Sequence, residues 1–204
     1  MIRSSLIRLT AIGVAASAVA GCALLSSPDP VQTYRFGGAA PSVSGSVGTM
    51  ATSIALRRVE FPEAVEGDRL LGVTGTETAY IKGARWVSPA ADLYLASLEN
   101  AFAEQARGVR LIGPREAVRS GRSLEIDMRA FEARYEMPGT VPTVVITARA
   151  RVTTLPDRTV SAERMFSVEQ PATENRVSAI VEAFDMATRD LNTQIVAWTE
   201  ANAR

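Results

Sequence analysis

From Leu124 onward the apolar residues fall into a two-residue rhythm, and that rhythm narrows the fold more than any other feature. Leu124, Ile126, Met128 and Ala130 share one side of an extended chain; Phe131, Ala133 and Tyr135 then continue on the opposite parity. Successive side chains of a strand point to opposite faces, so such alternation marks a sheet with one face on a core. The parity switch predicts a β-bulge, one extra residue that exchanges the faces. Val144, Ile146, Ala148, Ala150 and Val152 alternate against Thr147, Arg149 and Arg151. After the turn signal Leu155-Pro156-Asp157-Arg158, Val160, Ala162, Phe166 and Val168 bring the chain back. These segments predict an antiparallel hairpin, apolar on one face and wet on the other.

A sheet with one apolar face needs a cover. Two segments supply it. In the first, Ser88 suits an N-cap, Pro89 the first helical position and Gly108 the end, with Leu95, Leu98, Phe102 and Ala106 as one apolar face. The second runs from a cap at Asn175 to about Ala201, with a stripe of Val177, Ile180, Val181, Phe184, Leu191, Ile195 and Trp198. Residues 34–36, 54–59 (stopped by Pro62), 69–73 and 109–112 read as shorter strands, residues 115–120 as a helical turn and 137–142 as a loop. No internal repeat is visible. The expected fold class is α+β, a mixed α/β sandwich in which a mainly antiparallel sheet carries two long amphipathic helices packed on one face.

The amino end has a different logic. Arg3 and Arg8 precede an apolar or small-residue run from Leu9 to Ala20, and no acidic residue occurs before Asp29. That run is short for a membrane span, which takes about 20 apolar residues, and suits the central region of a secretory signal. It ends in Val19-Ala20-Gly21-Cys22, and Cys22 is the only cysteine of the chain. The quartet resembles the bacterial lipobox, which implies cleavage by a signal peptidase recognising Val19, Ala20 and Gly21, and lipidation of Cys22. Ala23 follows where an Asp would retain a lipoprotein at the inner membrane; by that resemblance the expected location is the outer membrane, on its periplasmic face. The alternative is a plain secretory signal with a leftover cysteine. The domain organisation read from this pattern is a signal peptide over 1–21, a lipidated tether and flexible Gly/Ser-rich segment over 22–50, and a folded domain over 51–204.

Composition removes several functional classes. The chain has no histidine, which excludes Ser-His-Asp and Cys-His catalysis and histidine-ligated zinc. With Cys22 lipidated, cysteine metal sites go as well, so no metal and no cofactor are expected. No Walker-type or G-x-G-x-x-G loop occurs. Basic and acidic side chains balance at 22 each, so there is no general attraction for nucleic acid.

With the elements in order, the chain resembles the ABC-type transport auxiliary lipoprotein family, in particular the intermembrane-transport lipoproteins of the paraquat-inducible type. The likeness runs from Cys22 and "YRF" (34–36) through "SIALRRVEFPE" and "RLLGV" to "AYIKGARWVSPAADLYLASLENAF" (79–102), where a tyrosine and a tryptophan precede a proline-led helix with spaced leucines. The strand "SLEIDMRAFEARYE", the long hairpin and the last helix complete it. Residues 37–49 and 72–80 depart from the pattern. The resemblance implies a non-enzymatic accessory of an ABC transport system whose partners are an MCE-domain periplasmic protein and its permease and ATPase, moving phospholipids or other hydrophobic molecules between membranes. It implies membrane attachment through the N-terminal acyl chains and allows a homo-oligomer.

Four residues stand out as candidate partner or lipid contacts: Tyr80, Trp86, Arg149 and Arg151. Trp86 has the competing role of packing at the helix entrance, and the two arginines that of pairing with Glu125 and Asp127 across the sheet. Those carboxylates share the face opposite Ile126 and Met128, which is expected to face solvent rather than to do acid–base work. A structural or assembly lipoprotein of the cell envelope is the alternative function, and a hydrolase the third reading.

Overall fold

The computed structural model describes residues 31–38, 51–114, 116 and 118–203. In chain order the elements are β1 (Gln32–Tyr34), β2 (Thr52–Glu60), α1 (Glu63–Glu66), β3 (Arg69–Thr74), β4 (Glu77–Trp86), α2 (Ala90–Gln105), β5 (Val109–Ile112), β6 (Arg122–Tyr135), β7 (Thr143–Thr154), β8 (Thr159–Pro171) and α3 (Val177–Asn202). The architecture is the expected α+β class.

All eight strands join one sheet, and β6 is its hub. Along one edge β6 pairs antiparallel with β7, which pairs antiparallel with β8. The other edge is shared. Its first half takes β2 in parallel, from Ala55 opposite Ser123 to Glu60 opposite Asp127. Its last residues take β3 in parallel, from Gly72 opposite Ala133 to Thr74 opposite Tyr135. A strand of 14 residues is long enough to seat two neighbours end to end, and Pro62, with no N–H to donate, ends the first of them. β5 extends β2 in parallel; β4 turns back antiparallel on β3, and β1 adds in parallel to β4. The long ladders are antiparallel and the short additions are mostly parallel.

The expected bulge is present, one residue earlier than the parity switch after Ala130 puts it. Met128 faces Ala148 and Ala130 faces Thr147, so Arg129 is the extra residue. Leu124, Ile126 and Met128 point to the core before it, Phe131 and Ala133 after it. Ala130 therefore falls on the opposite face, with Thr147, rather than continuing the core row. A second bulge, at Ser161, separates the Val152–Ala162 pair from Thr153–Val160. It turns Val160 off the apolar face, leaving it 49% exposed.

Helix α3 covers the sheet with Ile180, Ala183, Phe184, Ala187, Leu191 and Ile195, all buried. Beneath it Ala148 and Ala150 of β7 are fully buried, and their small size lets the helix backbone approach. Phe131 stands at the centre of the core. Its ring lies 5.2 Å from that of Phe36, 5.5 Å from Phe61 and 4.9 Å from Phe184, joining four segments distant in sequence. Phe36 and β1 belong to this sheet and core, so the folded unit takes in residues 32–38, ahead of the start expected at 51.

The helix ends differ from the sequence reading. Helix α2 starts at Ala90, not Pro89, and Ser88 makes no side-chain cap. The Ala90 N–H donates instead to the Gly67 carbonyl at 2.8 Å, a cap supplied from a distant turn. The helix ends at Gln105, and the next free amides, Arg107 and Gly108, both donate to Oε1 of Glu200 at 2.6 Å. Asn175 does not cap α3; its Nδ2 donates to the Gly139 carbonyl at 3.0 Å, tying the 137–142 loop to the helix entrance.

Candidate functional site

Val19, Ala20, Gly21 and Cys22 lie outside the described residues. The four candidate contacts lie within them, and they do not converge on one site.

Trp86, at the end of β4, is 2% exposed. Its ring meets Phe36 edge-on at 4.9 Å and Phe184 at 5.4 Å, arrangements that aromatic quadrupoles favour. Its place is the core beside the helix entrance, so the packing role accounts for it and its surface is closed to a partner. Tyr80, in the same strand, is 37% exposed. Its hydroxyl donates to the Ala64 carbonyl at 3.1 Å, and the Arg69 guanidinium stacks 3.7 Å from its ring centroid. These contacts hold Tyr80 flat along the β3–β4 arm with one side of the ring covered.

Arg149 and Arg151 project from β7 on the face turned away from the helices. Arg149 stands opposite Asp127 and holds it at 2.7 Å; Arg129, from the bulge, reaches the same carboxylate. Arg151 bridges two strands, at 2.8 Å from Glu163 on β8 and 3.8 Å from Glu125 on β6. A Thr147–Ser167 hydroxyl pair at 3.0 Å extends the row. Acidic and basic groups neutralise one another in cross-strand register. The pairing role expected for both arginines is present, and Glu125 and Asp127 are held by guanidinium groups on an open face.

Sequence reasoning missed a buried polar seam between the helices. Asn192 Nδ2 donates to Ser97 Oγ at 2.9 Å, joining α3 to α2. Gly37 sits against that seam: a Cβ there would lie 2.5 Å from Ser97 Cβ, and its φ of +88° is one side chains rarely adopt. Its N–H donates to Asp185 Oδ1 at 2.8 Å, clamping residues 36–38 onto α3. Tyr94 is also fully buried, with no partner for its hydroxyl among the described residues; burial pushes the phenol well above its ordinary value. In sequence, Ser97 and Asn192 look like polar interruptions of amphipathic helices, and only their three- and four-residue spacing from apolar residues such as Tyr94, Ala101, Ile195 and Val196 hinted at burial.

The α2 stripe also divides. Leu98 and Phe102 enter the core with Tyr94, while Leu95 and Ala106 stay half-buried and line an open cleft of about 660 Å³ between α2 and β5. Among the described residues no helix is long and apolar enough to cross a membrane.

The sequence model of the ABC-type transport auxiliary lipoprotein component matches residues 34–196. The chain belongs to this family. Among solved structures, this auxiliary lipoprotein is similar to protein XCC0632 of Xanthomonas campestris, at 26% identity and a TM-score of 0.65, over 85% of this chain and 94% of that one. An uncharacterized protein shares the fold at 15% identity and a TM-score of 0.61, over 82% and 99% of the two chains. The hypothetical protein CT253 of Chlamydia trachomatis shares it at 8% identity and a TM-score of 0.50, over 75% and 98%. A search of curated proteins gave no match.

Proposed function

We propose that this auxiliary lipoprotein serves an ABC transport system built around an MCE-domain periplasmic protein, moving phospholipids or other hydrophobic molecules between membranes. Residues 1–21 direct secretion, Val19-Ala20-Gly21 marks the cut, and Cys22 becomes the acylated first residue. More than one acyl chain is required for stable attachment, at about 0.8 kcal/mol per buried CH2. The ten or so residues from Cys22 to β1 extend at most roughly 35 Å, which keeps the domain close to the bilayer. Ala23 in place of an acidic residue favours the outer membrane, with the domain on the periplasmic side. The role is accessory rather than catalytic: the chain lacks histidine, and the clustered carboxylates Glu125, Asp127 and Glu163 are engaged by arginine.

The family match over residues 34–196 carries this reading. In-cell crosslinking followed by affinity purification from envelopes tests it. The expected co-purifying proteins are an MCE-domain protein with its permease and ATPase. Recovery of a folded, lipidated chain with none of these, or with a different envelope complex in their place, would move the role to envelope assembly.

A further inference from the structure

The cleft between α2 and β5 has features the family assignment does not use. Strand β5 ends the sheet's strand order: it pairs with β2 along one edge, and among the described residues no strand pairs with the other. Val109, Arg110 and Leu111 line the cleft in succession, as an open strand edge does. The opposite wall is the flank of α2, where Leu95 and Ala106 are half-buried and Ala103 is exposed. Polar backbone at the edge and apolar side chains on the facing helix are the two halves of a groove that accepts an added strand: the edge supplies hydrogen bonds, and the helix takes alternate side chains.

The rim narrows the occupant. Asp92, Glu99 and Glu116 line the cleft, and among the described residues the one cation that lines it, Arg110, is already held by Glu116 at 2.8 Å. Among the described residues no lysine or arginine lies within salt-bridge reach of Asp92 or Glu99. Over the described lining residues the balance is negative, which favours a cationic occupant over an anionic one. The volume lies within the range of preformed ligand sites. A four-residue edge matches about 13 Å of extended chain.

We propose that this groove binds an extended segment of a partner protein, apolar at alternate positions and carrying at least one lysine or arginine, which adds as a strand to β5. The short edge limits the number of backbone bonds, so the apolar wall of α2 contributes much of the selectivity. The groove is independent of the acyl anchor, and its failure would leave the lipidation of Cys22 and the transport role standing.

The test pans a random twelve-residue peptide library against the detergent-solubilised full chain, then measures the enriched peptides by fluorescence anisotropy. Ala103→Trp fills the groove from an exposed helical position, and Glu99→Lys reverses part of the rim; circular dichroism checks that both fold. Enriched peptides are expected to alternate apolar and polar residues and to carry lysine or arginine. Their affinity should fall at least about tenfold with Ala103→Trp and several-fold with Glu99→Lys. Bound peptide should slow amide exchange at residues 109–112. The proposal is overturned if no peptide is enriched, if affinity survives Ala103→Trp, or if exchange at 109–112 is unchanged. Binding seen only after deletion of residues 39–50 would assign the groove to the chain's own segment. Uptake of a dansyl-labelled fatty acid that is blocked by Ala103→Trp, with no peptide selected, would assign it to an acyl chain. Either result would also overturn the proposal.

Discussion

Truncation of Trp86 separates core packing from surface recognition. The side chain is 2% exposed and meets the rings of Phe36, Phe131 and Phe184 at 4.9, 6.3 and 5.4 Å. Trp86→Ala removes the largest member of that cluster, and the rings around it come from β6, α3 and the segment after β1, which cannot all collapse inward. Substitutions of this kind cost about 3–5 kcal/mol, from lost burial plus the residual cavity. Against the roughly 5–15 kcal/mol total of a typical domain, that is a large fraction. For a chain of this size it corresponds to a fall of roughly 6–20 °C in Tm. Urea titration followed by far-ultraviolet circular dichroism, with thermal melts in parallel, measures it; the midpoint should drop while the slope is retained. Trp86→Phe, which keeps a ring, should cost clearly less. A Trp86→Ala protein with an unchanged midpoint, or one that loses only partner binding, would refute the packing argument and restore Trp86 as a contact residue.

Three further outcomes follow from single side chains. Glu200→Ala strips the shared acceptor from the Arg107 and Gly108 amides; it should cost about 1–3 kcal/mol and speed hydrogen exchange at both amides, while Glu200→Gln retains most of the protection. Arg149→Ala leaves Asp127 with Arg129, and both members of the lost pair are partly solvated, so urea midpoints should move by less than about 1 kcal/mol; a loss above about 3 kcal/mol would contradict the description of an open, neutralised face. Tyr94→Phe deletes a buried hydroxyl with no partner among the described residues and should leave stability at pH 7 equal or slightly higher. Burial raises the folded phenol above its ordinary value of 10.0, so the unfolded chain ionises first. The Tyr94 contribution to stability is therefore fully present below about pH 10 and is lost as pH climbs through and beyond it. Urea titrations at pH 7 and in that alkaline range should show a shallower decline for Tyr94→Phe.

The features that could be read from the sequence were those set by local periodicity. That a bulge interrupts β6 follows from a parity switch, although its position at Arg129 does not, and the β7–β8 hairpin follows from alternation on either side of a turn. The second bulge, at Ser161, left no such trace, because Val160 fits the apolar rhythm by type while the register shift turns it outward. Strand β4 was hidden because in residues 77–83 Ala79, Tyr80 and Ile81 run together instead of alternating with polar residues, and the stretch is mostly exposed; it forms as the return arm of β3 rather than as a half-buried strand. The helix caps were illegible for a different reason. The Gly67 carbonyl and the Glu200 carboxylate reach their amides from elsewhere in the fold, and local preferences for Ser88, Gly108 and Asn175 carry no information about such partners. Of the candidate contacts, the cross-strand partners of Arg149 and Arg151 could be anticipated from strand parity alone. Trp86 could not be assigned, since a tryptophan beside a helix start serves either a core or a surface equally well. The α2–β5 groove was obscured because Leu95 and Ala106 share a helical stripe with Leu98 and Phe102, and only the position of β5 divides them.

The account rests most heavily on Cys22, and intact mass spectrometry of the mature protein taken from cells addresses it directly. The expected species begins at Cys22 and carries the mass of a thioether-linked diacylglycerol with a further acyl group, and a Cys22→Ala chain should lack that mass and leave the membrane fraction. A mature chain that begins elsewhere, or that retains an unmodified Cys22 thiol, would contradict the anchored role.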